Sequence, residues 1–243
     1  MPVGRRVLLA AALATTAQAP AGAVDLQLVL AVDVSRSIDE EEARLQREGY
    51  RTAMRDPAVV AVMSGGLLGA VAVAYVEWAA YTSQELVVPW TRIASAAEAQ
   101  AWSDRLERSP RQSRNWTSLS GALRFSRQVL AECPWEGTRR AIDVSGDGVN
   151  NNGPPAEDER DRLVAEGVTI NGLPIVNDRP NFGVRPGGEL EPYYRNSVIG
   201  GPGAFLIVAE DFNAFGAAIR RKLIQETAEL PPRTLSRWRE RAG

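Results

Sequence analysis

Apolar and polar positions fall into blocks whose period switches along the chain. Residues 25–32, DLQLVLAV, form a nearly unbroken apolar, β-branched run, as expected of a strand buried on both faces. Residues 39–56, DEEEARLQREGYRTAMRD, change to helical spacing, with acids in the first turn and Pro57 just beyond. The runs at 69–79 (GAVAVAYVEWA) and 84–93 (QELVVPWTRI) predict two strands joined by a short polar turn, hence an antiparallel pair. Helical spacing returns over 95–108 and 118–133, and a strand over 139–148 runs into a glycine turn. A helix over 155–167 closes on Gly167, and a strand follows over 168–176. Residues 177–203, with Pro180, Phe182, Tyr193 and Tyr194, are the longest irregular stretch. Beyond it, AFLIVA (204–209) predicts a further strand, and 212–230 a last helix stopped by Pro231-Pro232.

Strands alternating with helices predict an α/β fold: a doubly wound, mostly parallel sheet with one antiparallel edge strand and helices on both faces. No repeat or linker divides the chain, so one domain is expected over 24–230, followed by a tail at 231–243. Residues 1–23 break the pattern. Arg5 and Arg6, the apolar run Val7 to Ala14 and small residues after it have the order of a secretory signal. Cleavage after Ala23, closing AGA, is preferred to cleavage after Ala19, and an uncleaved anchor is the alternative. No later run reaches the ~18 apolar residues of a membrane span, so no direct membrane insertion is expected after cleavage. The expected location is outside the cytoplasm, in a bacterial periplasm.

Composition narrows the chemistry. Of 243 residues, 44% are hydrophobic and 24% charged, the balance of a soluble globular protein. A formal charge of −2 gives no electrostatic reason to expect nucleic acid. The short basic stretch Arg220-Arg221-Lys222 reads as the solvated face of the last helix. One cysteine, Cys133, excludes an intramolecular disulfide and reads as buried filler. The absence of histidine removes Ser-His and Cys-His catalytic pairs and any imidazole-based zinc site.

In open α/β sheets, ligands bind beyond the carboxyl ends of the strands. DVSRS (33–37) and SGDG (145–148) lie at two such ends, and RNWTSLSGAL (114–123) enters the helix before the later strand, so three polar segments are expected on one rim. A small hard cation takes oxygen ligands and keeps some of its waters. Ser35, Ser37 and Thr117 offer hydroxyls, with Asp33 and Asp147 binding directly or through water. Residues two apart in an extended segment share a side, which is what the Asp33-Ser35-Ser37 spacing exploits. A site whose direct protein ligands are neutral leaves the ion electrophilic and suited to a partner's Glu or Asp carboxylate. Mg²⁺ is the expected ion, with Mn²⁺ and Ca²⁺ as alternatives.

This constellation resembles the von Willebrand factor type A (VWA) domain and its metal-ion-dependent adhesion site (MIDAS). That family's Asp-x-Ser-x-Ser, distant Thr and distant Asp fall on Asp33, Ser35, Ser37, Thr117 and Asp147, over roughly residues 24–230. More narrowly, LAVDVSRS, YVEWA, IDVSGDGVNN, TINGLPI and VIGGPGAF are similar to a bacterial family of secreted proteins, DUF1194. The resemblance implies the fold and the metal site, and it supplies no substrate. Where the wider family often reads Thr-Asp-Gly, this chain reads SGDG, so the departure falls on loop geometry and not on the carboxylate.

Each segment also has a plainer reading. Ser37-Ile38-Asp39-Glu40 fits a capping box; Asp33 and SGDG fit turns, and Thr117 fits the start of a helix. Asp143, inside its strand, reads as a buried hydrogen-bonded acid. Asn150 and Asn151 of NNNGPP, with Tyr193 and Tyr194, are the candidate partner contacts; a solvated turn and a local cover for the sheet are the alternatives. The functional expectation is a secreted module that binds a protein partner through a cation, not an enzyme. The rival is a metal-dependent phosphohydrolase or phosphotransferase using Asp33, although the second Asp usual in aspartyl phosphotransfer is replaced by Ser35, and no P-loop or Gly-x-Ser-x-Gly motif is present.

Overall fold

The structure is a computed structural model that describes residues 22–110, 115–176 and 190–228. Residues 1–21 of the expected signal, the expected tail at 231–243, and Pro180 and Phe182 lie outside the described residues. In chain order the elements are β1 (Leu26–Asp33), α1 (Glu40–Arg55), α2 (Pro57–Ser64), β2 (Val71–Trp78), β3 (Gln84–Ile93), α3 (Ala96–Arg108) and α4 (Leu119–Ala131). Then come β4 (Arg140–Gly146), α5 (Ala156–Ala165), β5 (Thr169–Pro174), α6 (Leu190–Tyr193), a π-turn (Tyr194–Val198) and α7 (Phe215–Ala228).

The five strands form one sheet in the order β3-β2-β1-β4-β5. β1 pairs in parallel with β2 and β4, β4 with β5, and β2 turns back antiparallel on β3. This is the sheet expected from the hydrophobic pattern. Both faces of β1 are covered, so its alternating side chains feed two cores. Leu26, Leu28, Leu30 and Val32 pack with Tyr50 and Met54 of α1, Trp102 of α3 and Phe215 of α7. Val29 and Ala31 face Leu119 and Leu123 of α4, Leu163 of α5 and Tyr194. Each such large side chain, fully buried, contributes about 1.5–3 kcal/mol by burial. β3 is one of the two edge strands, and between Thr91 and Val88 it sets Pro89 and Trp90 against the single residue Ala74, a bulge.

Five expectations are corrected. First, the capping box at the start of α1 is Asp39 with Glu42, not Ser37 with Glu40: Asp39 Oδ1 accepts the Glu42 N–H, and Glu42 Oε2 accepts the Asp39 N–H, both at 2.9 Å. Second, Pro57 ends one helix and opens another. Asp56 is the last residue of the α1 cap and also caps α2, accepting the Ala58 N–H at 2.8 Å, while Pro57 takes the first helical position, where no N–H is needed. Third, residues 190–198 are helical, in two pieces of 4 and 5 residues that are too short for periodicity to reveal.

Fourth, AFLIVA is not a regular strand. It runs beside β5 through isolated bridges at Leu206 and Ala209. The Phe205 N–H is taken by Asn171 Oδ1 at 3.0 Å, and Pro174 has no N–H to give, so no continuous ladder forms. Fifth, Lys222 is fully buried rather than on a solvated face, because it shares the sheet-facing side of α7 with Phe215, Ile219 and Glu226. Its Nζ lies 3.0 Å from both Asp143 Oδ1 and Glu226 Oε1. Asp143 is therefore buried, as its place inside a strand suggested, but it is held by an ion pair with Lys222 and neither of its oxygens has a hydrogen-bond partner among the described residues. Cys133 is half-buried, and burial raises its thiol above the ordinary range.

Candidate functional site

The strand order turns on β1: the chain first builds outward through β2 and β3, then crosses to the other side of β1 to lay down β4 and β5. The carboxyl ends of β1 and β4 are thus neighbours at the switch point, where such sheets bind ligands. Asp33 closes β1, and Asp147 follows the last residue of β4. The segment 115–118 enters α4 on the same rim, tied to the end of β2 by the Ser118 N–H donating to Ala79 O at 2.7 Å.

Asp33, Ser35, Thr117 and Asp147 are buried, and Ser37 is partly exposed. The Ser35 N–H donates to Asp33 Oδ1 at 2.7 Å, the Ser35 and Ser37 hydroxyls lie 3.0 Å apart, and the Ser37 hydroxyl donates to Asp147 Oδ1 at 2.8 Å. The displaced capping box explains why Ser37 is free to do this: Asp39 caps the helix instead. Thr117 joins from the third loop. A Cβ on Gly148, next to Asp147, would stand 3.5 Å from Thr117 Oγ1. Thr117 does not cap α4; Ser118 does, accepting the Gly121 N–H at 3.1 Å.

Burial raises the Asp33 carboxyl well above its ordinary range, and the nearby Asp147 carboxylate raises it further; the hydrogen bonds from Ser35 and from the Asp147 backbone pull the other way. Asp33 Oδ2 has no hydrogen-bond partner among the described residues. Two carboxylates and three hydroxyls, one carboxylate oxygen among them buried and unpartnered, make a donor set suited to a small hard cation. No three His, Cys, Asp or Glu side chains gather as a metal cluster among the described residues, so such a site would depend on its hydroxyls.

The three consecutive asparagines are structural clamps. The side-chain carbonyls of Asn150, Asn151 and Asn152 accept the backbone N–H groups of Ser120 at 3.2 Å, Thr117 at 2.8 Å and Tyr81 at 2.8 Å. The Asn151 N–H returns a bond to Thr117 O at 2.9 Å. Asn150 and Asn151 therefore hold the Thr117 loop in register with Asp147, a role that three amides following a strand end could have signalled. Tyr193 is half-buried and accepts the Asn150 N–H at 3.3 Å. Tyr194 is fully buried and presents no surface to a partner. The exposed aromatic on this rim is one that the motif reading passed over: Trp116, 60% exposed, with φ 71, the one non-glycine residue at positive φ among those described.

Solved structures of low identity share this fold. Proximal thread matrix protein 1 from the mussel byssus, in a form described with a zinc-occupied MIDAS motif, matches 84% of this chain and 46% of its own at 16% identity and a TM-score of 0.59. The pilus adhesin SpaC of Lactobacillus rhamnosus GG matches 86% of this chain and 31% of its own at 16% identity and a TM-score of 0.58. A von Willebrand factor type A protein of Catenulispora acidiphila matches 85% of this chain and 42% of its own at 13% identity and a TM-score of 0.54. This chain thus spans less than half the length of each of these relatives. No curated protein matches the sequence. No helix among the described residues is long and apolar enough to cross a membrane. The fold is that of a VWA domain, and over residues 23–231 the sequence matches the model of the family described as protein of unknown function (DUF1194), to which this chain belongs.

Proposed function

We propose that this protein is a binding module that engages a protein partner through a divalent cation on the rim formed by the ends of β1 and β4. Ser35, Ser37 and Thr117 would hold the ion through their hydroxyls, with Asp33 and Asp147 binding directly or through water, and a Glu or Asp of the partner would complete the shell. The observation that carries this reading is the run of close oxygens from Asp33 through Ser35 and Ser37 to Asp147, assembled from two strand ends. The zinc-occupied motif of the mussel protein and the adhesin role in the name of SpaC support the same reading. Mg²⁺ is the proposed ion, with Mn²⁺ and Ca²⁺ as alternatives. Trp116, beside Thr117, supplies an apolar contact next to the ion.

Binding rather than catalysis is favoured by the absence of histidine and by Ser35 at the position where aspartyl phosphotransfer usually has a second Asp. Residues 1–23 are proposed to direct export to the periplasm, leaving the 24–230 domain and a short tail.

The test is calorimetric titration of Mg²⁺ and Mn²⁺ into the EDTA-treated protein beside Asp33→Ala. Saturable binding at one site, lost in a variant that keeps its circular dichroism, is the expected result. Equal binding by the two proteins, or none by either, would overturn the assignment.

A further inference from the structure

Tyr194 is the residue the proposed site does not yet account for. It opens the π-turn, its ring is buried, and its hydroxyl has no hydrogen-bond partner among the described residues. Irregular turns of this kind are frequent at functional sites. A buried hydroxyl without a partner loses its hydration with nothing in return, and so calls for an explanation.

Two glycines show where this side chain goes. Gly172 on β5 pairs in register with Val144 on β4, and Gly146 lies two residues further along β4, on the same face of the sheet. A Cβ on Gly172 would come within 2.9 Å of Tyr194 Cδ1. A Cβ on Gly146 would come within 2.9 Å of Tyr194 Oη and equally within 2.9 Å of Asp33 Oδ2. Side chains on these strands would close the space, and two glycines leave a slot through which the tyrosine passes. Its hydroxyl and the unpartnered oxygen of Asp33 both border the space beside Gly146, without a hydrogen bond between them. The glycine preceding Asp147, the departure in the third loop, is the residue that makes this approach sterically feasible.

We propose that Tyr194 is a positioning residue of the cation site: its hydroxyl, which makes no hydrogen bond to Asp33 in this structure, closes onto the Asp33 carboxylate from the core side when an ion is bound, through the opening that Gly146 leaves. Asp33 Oδ1 is fixed by the Ser35 N–H, and a donor at Oδ2 fixes the remaining rotation of the group. Carboxylates that serve a metal are themselves hydrogen-bonded, and loss of such an outer partner typically lowers metal affinity about 10–100-fold. The inference rests on the cation reading above.

The test compares Mn²⁺ titrations of the unsubstituted protein, Tyr194→Phe, Gly146→Ala and the double variant, with the melting temperature of each EDTA-treated protein. Phe keeps the ring and removes only the hydroxyl. Tyr194→Phe is expected to bind Mn²⁺ about 10–100-fold more weakly, with a melting temperature unchanged or raised, because a hydroxyl without a partner is removed. Gly146→Ala is expected to weaken binding in both backgrounds, since its methyl also meets Asp33 Oδ2, and by a smaller factor once residue 194 is Phe, because part of its effect passes through the hydroxyl. Unchanged affinity in Tyr194→Phe overturns the inference and leaves the cation reading standing. Absence of Mn²⁺ binding by the unsubstituted protein overturns both. If Tyr194→Phe proves too unstable to titrate, Gly146→Ala alone decides, and affinity unaffected by the added methyl overturns the inference.

Discussion

Lys222 carries an ammonium in the core, beneath α7, with one carboxylate from the sheet and one from its own helix. The Asn171 amide donates to Glu226 Oε1 at 2.9 Å, and the Phe205 ring lies 4.7 Å from Nζ. Such a group is costly to strand. Lys222→Met would leave both carboxylates without their cation, and a loss of about 3–5 kcal/mol is expected in urea denaturation. Burial raises Asp143 from 3.8 to about 7 against the pull of Lys222, with Glu226 adding to the rise and Tyr50 of α1 also within its field. Between those values the folded chain holds a proton that the unfolded chain has released, so this group's contribution is complete below 3.8 and is lost as pH rises through about 7. Stability should therefore fall between about pH 4 and about pH 7, and Asp143→Asn should flatten that fall; identical slopes would dismiss the cluster as its source. Asp33, Ser35 and Ser37 were legible because a period of two at a strand end is local information. The burial of Lys222 was not: it depends on which side of α7 meets a strand laid down far earlier. The same holds for Tyr194, whose place is set by glycines on two strands.

At the scale of the element, the entry into α1 separates two roles that the sequence left overlapped. Asp39 terminates the backbone and Ser37 serves the rim. Asp39→Ala should lower stability by about 1 kcal/mol, the usual cost of a lost cap, with little change in Mn²⁺ affinity. Ser37→Ala should do the reverse, and a shared loss of stability in both would return Ser37 to a capping role. The box was legible as a pattern, and its register was not, because Ser37 with Glu40 and Asp39 with Glu42 both satisfy the pattern and only the path out of β1 selects between them. Pro57 was read as a stop and is also a start, which the acid before it indicates once both ends are considered together. The apolar run at 204–209 has strand composition but lacks a strand's open partner edge, since Asn171 and Pro174 break the row of donors and acceptors on β5.

For the molecule as a whole, the site joins segments far apart in sequence, so a bound ion should act on global stability. A cation present at a hundredfold excess over its dissociation constant adds about 2.7 kcal/mol, or about 5–10 °C in melting temperature for a domain of this size. That rise should appear with Mg²⁺ or Mn²⁺ after EDTA treatment and vanish in Asp33→Ala; a rise that persists in the variant would place the ion elsewhere. The overall topology was the most legible level, because alternation of element types limits how a sheet is wound. The two borders of that sheet have a consequence of their own. On one border β3 is bent by its bulge and carries Pro89, which lacks a donor; on the other, β5 is overlaid by the chain around Leu206 and Ala209. Neither border offers an incoming polypeptide a straight row of free peptide groups. Recognition by strand addition, and the fibre growth that follows when such addition repeats, are both discouraged, leaving loops as the route by which another chain can be engaged.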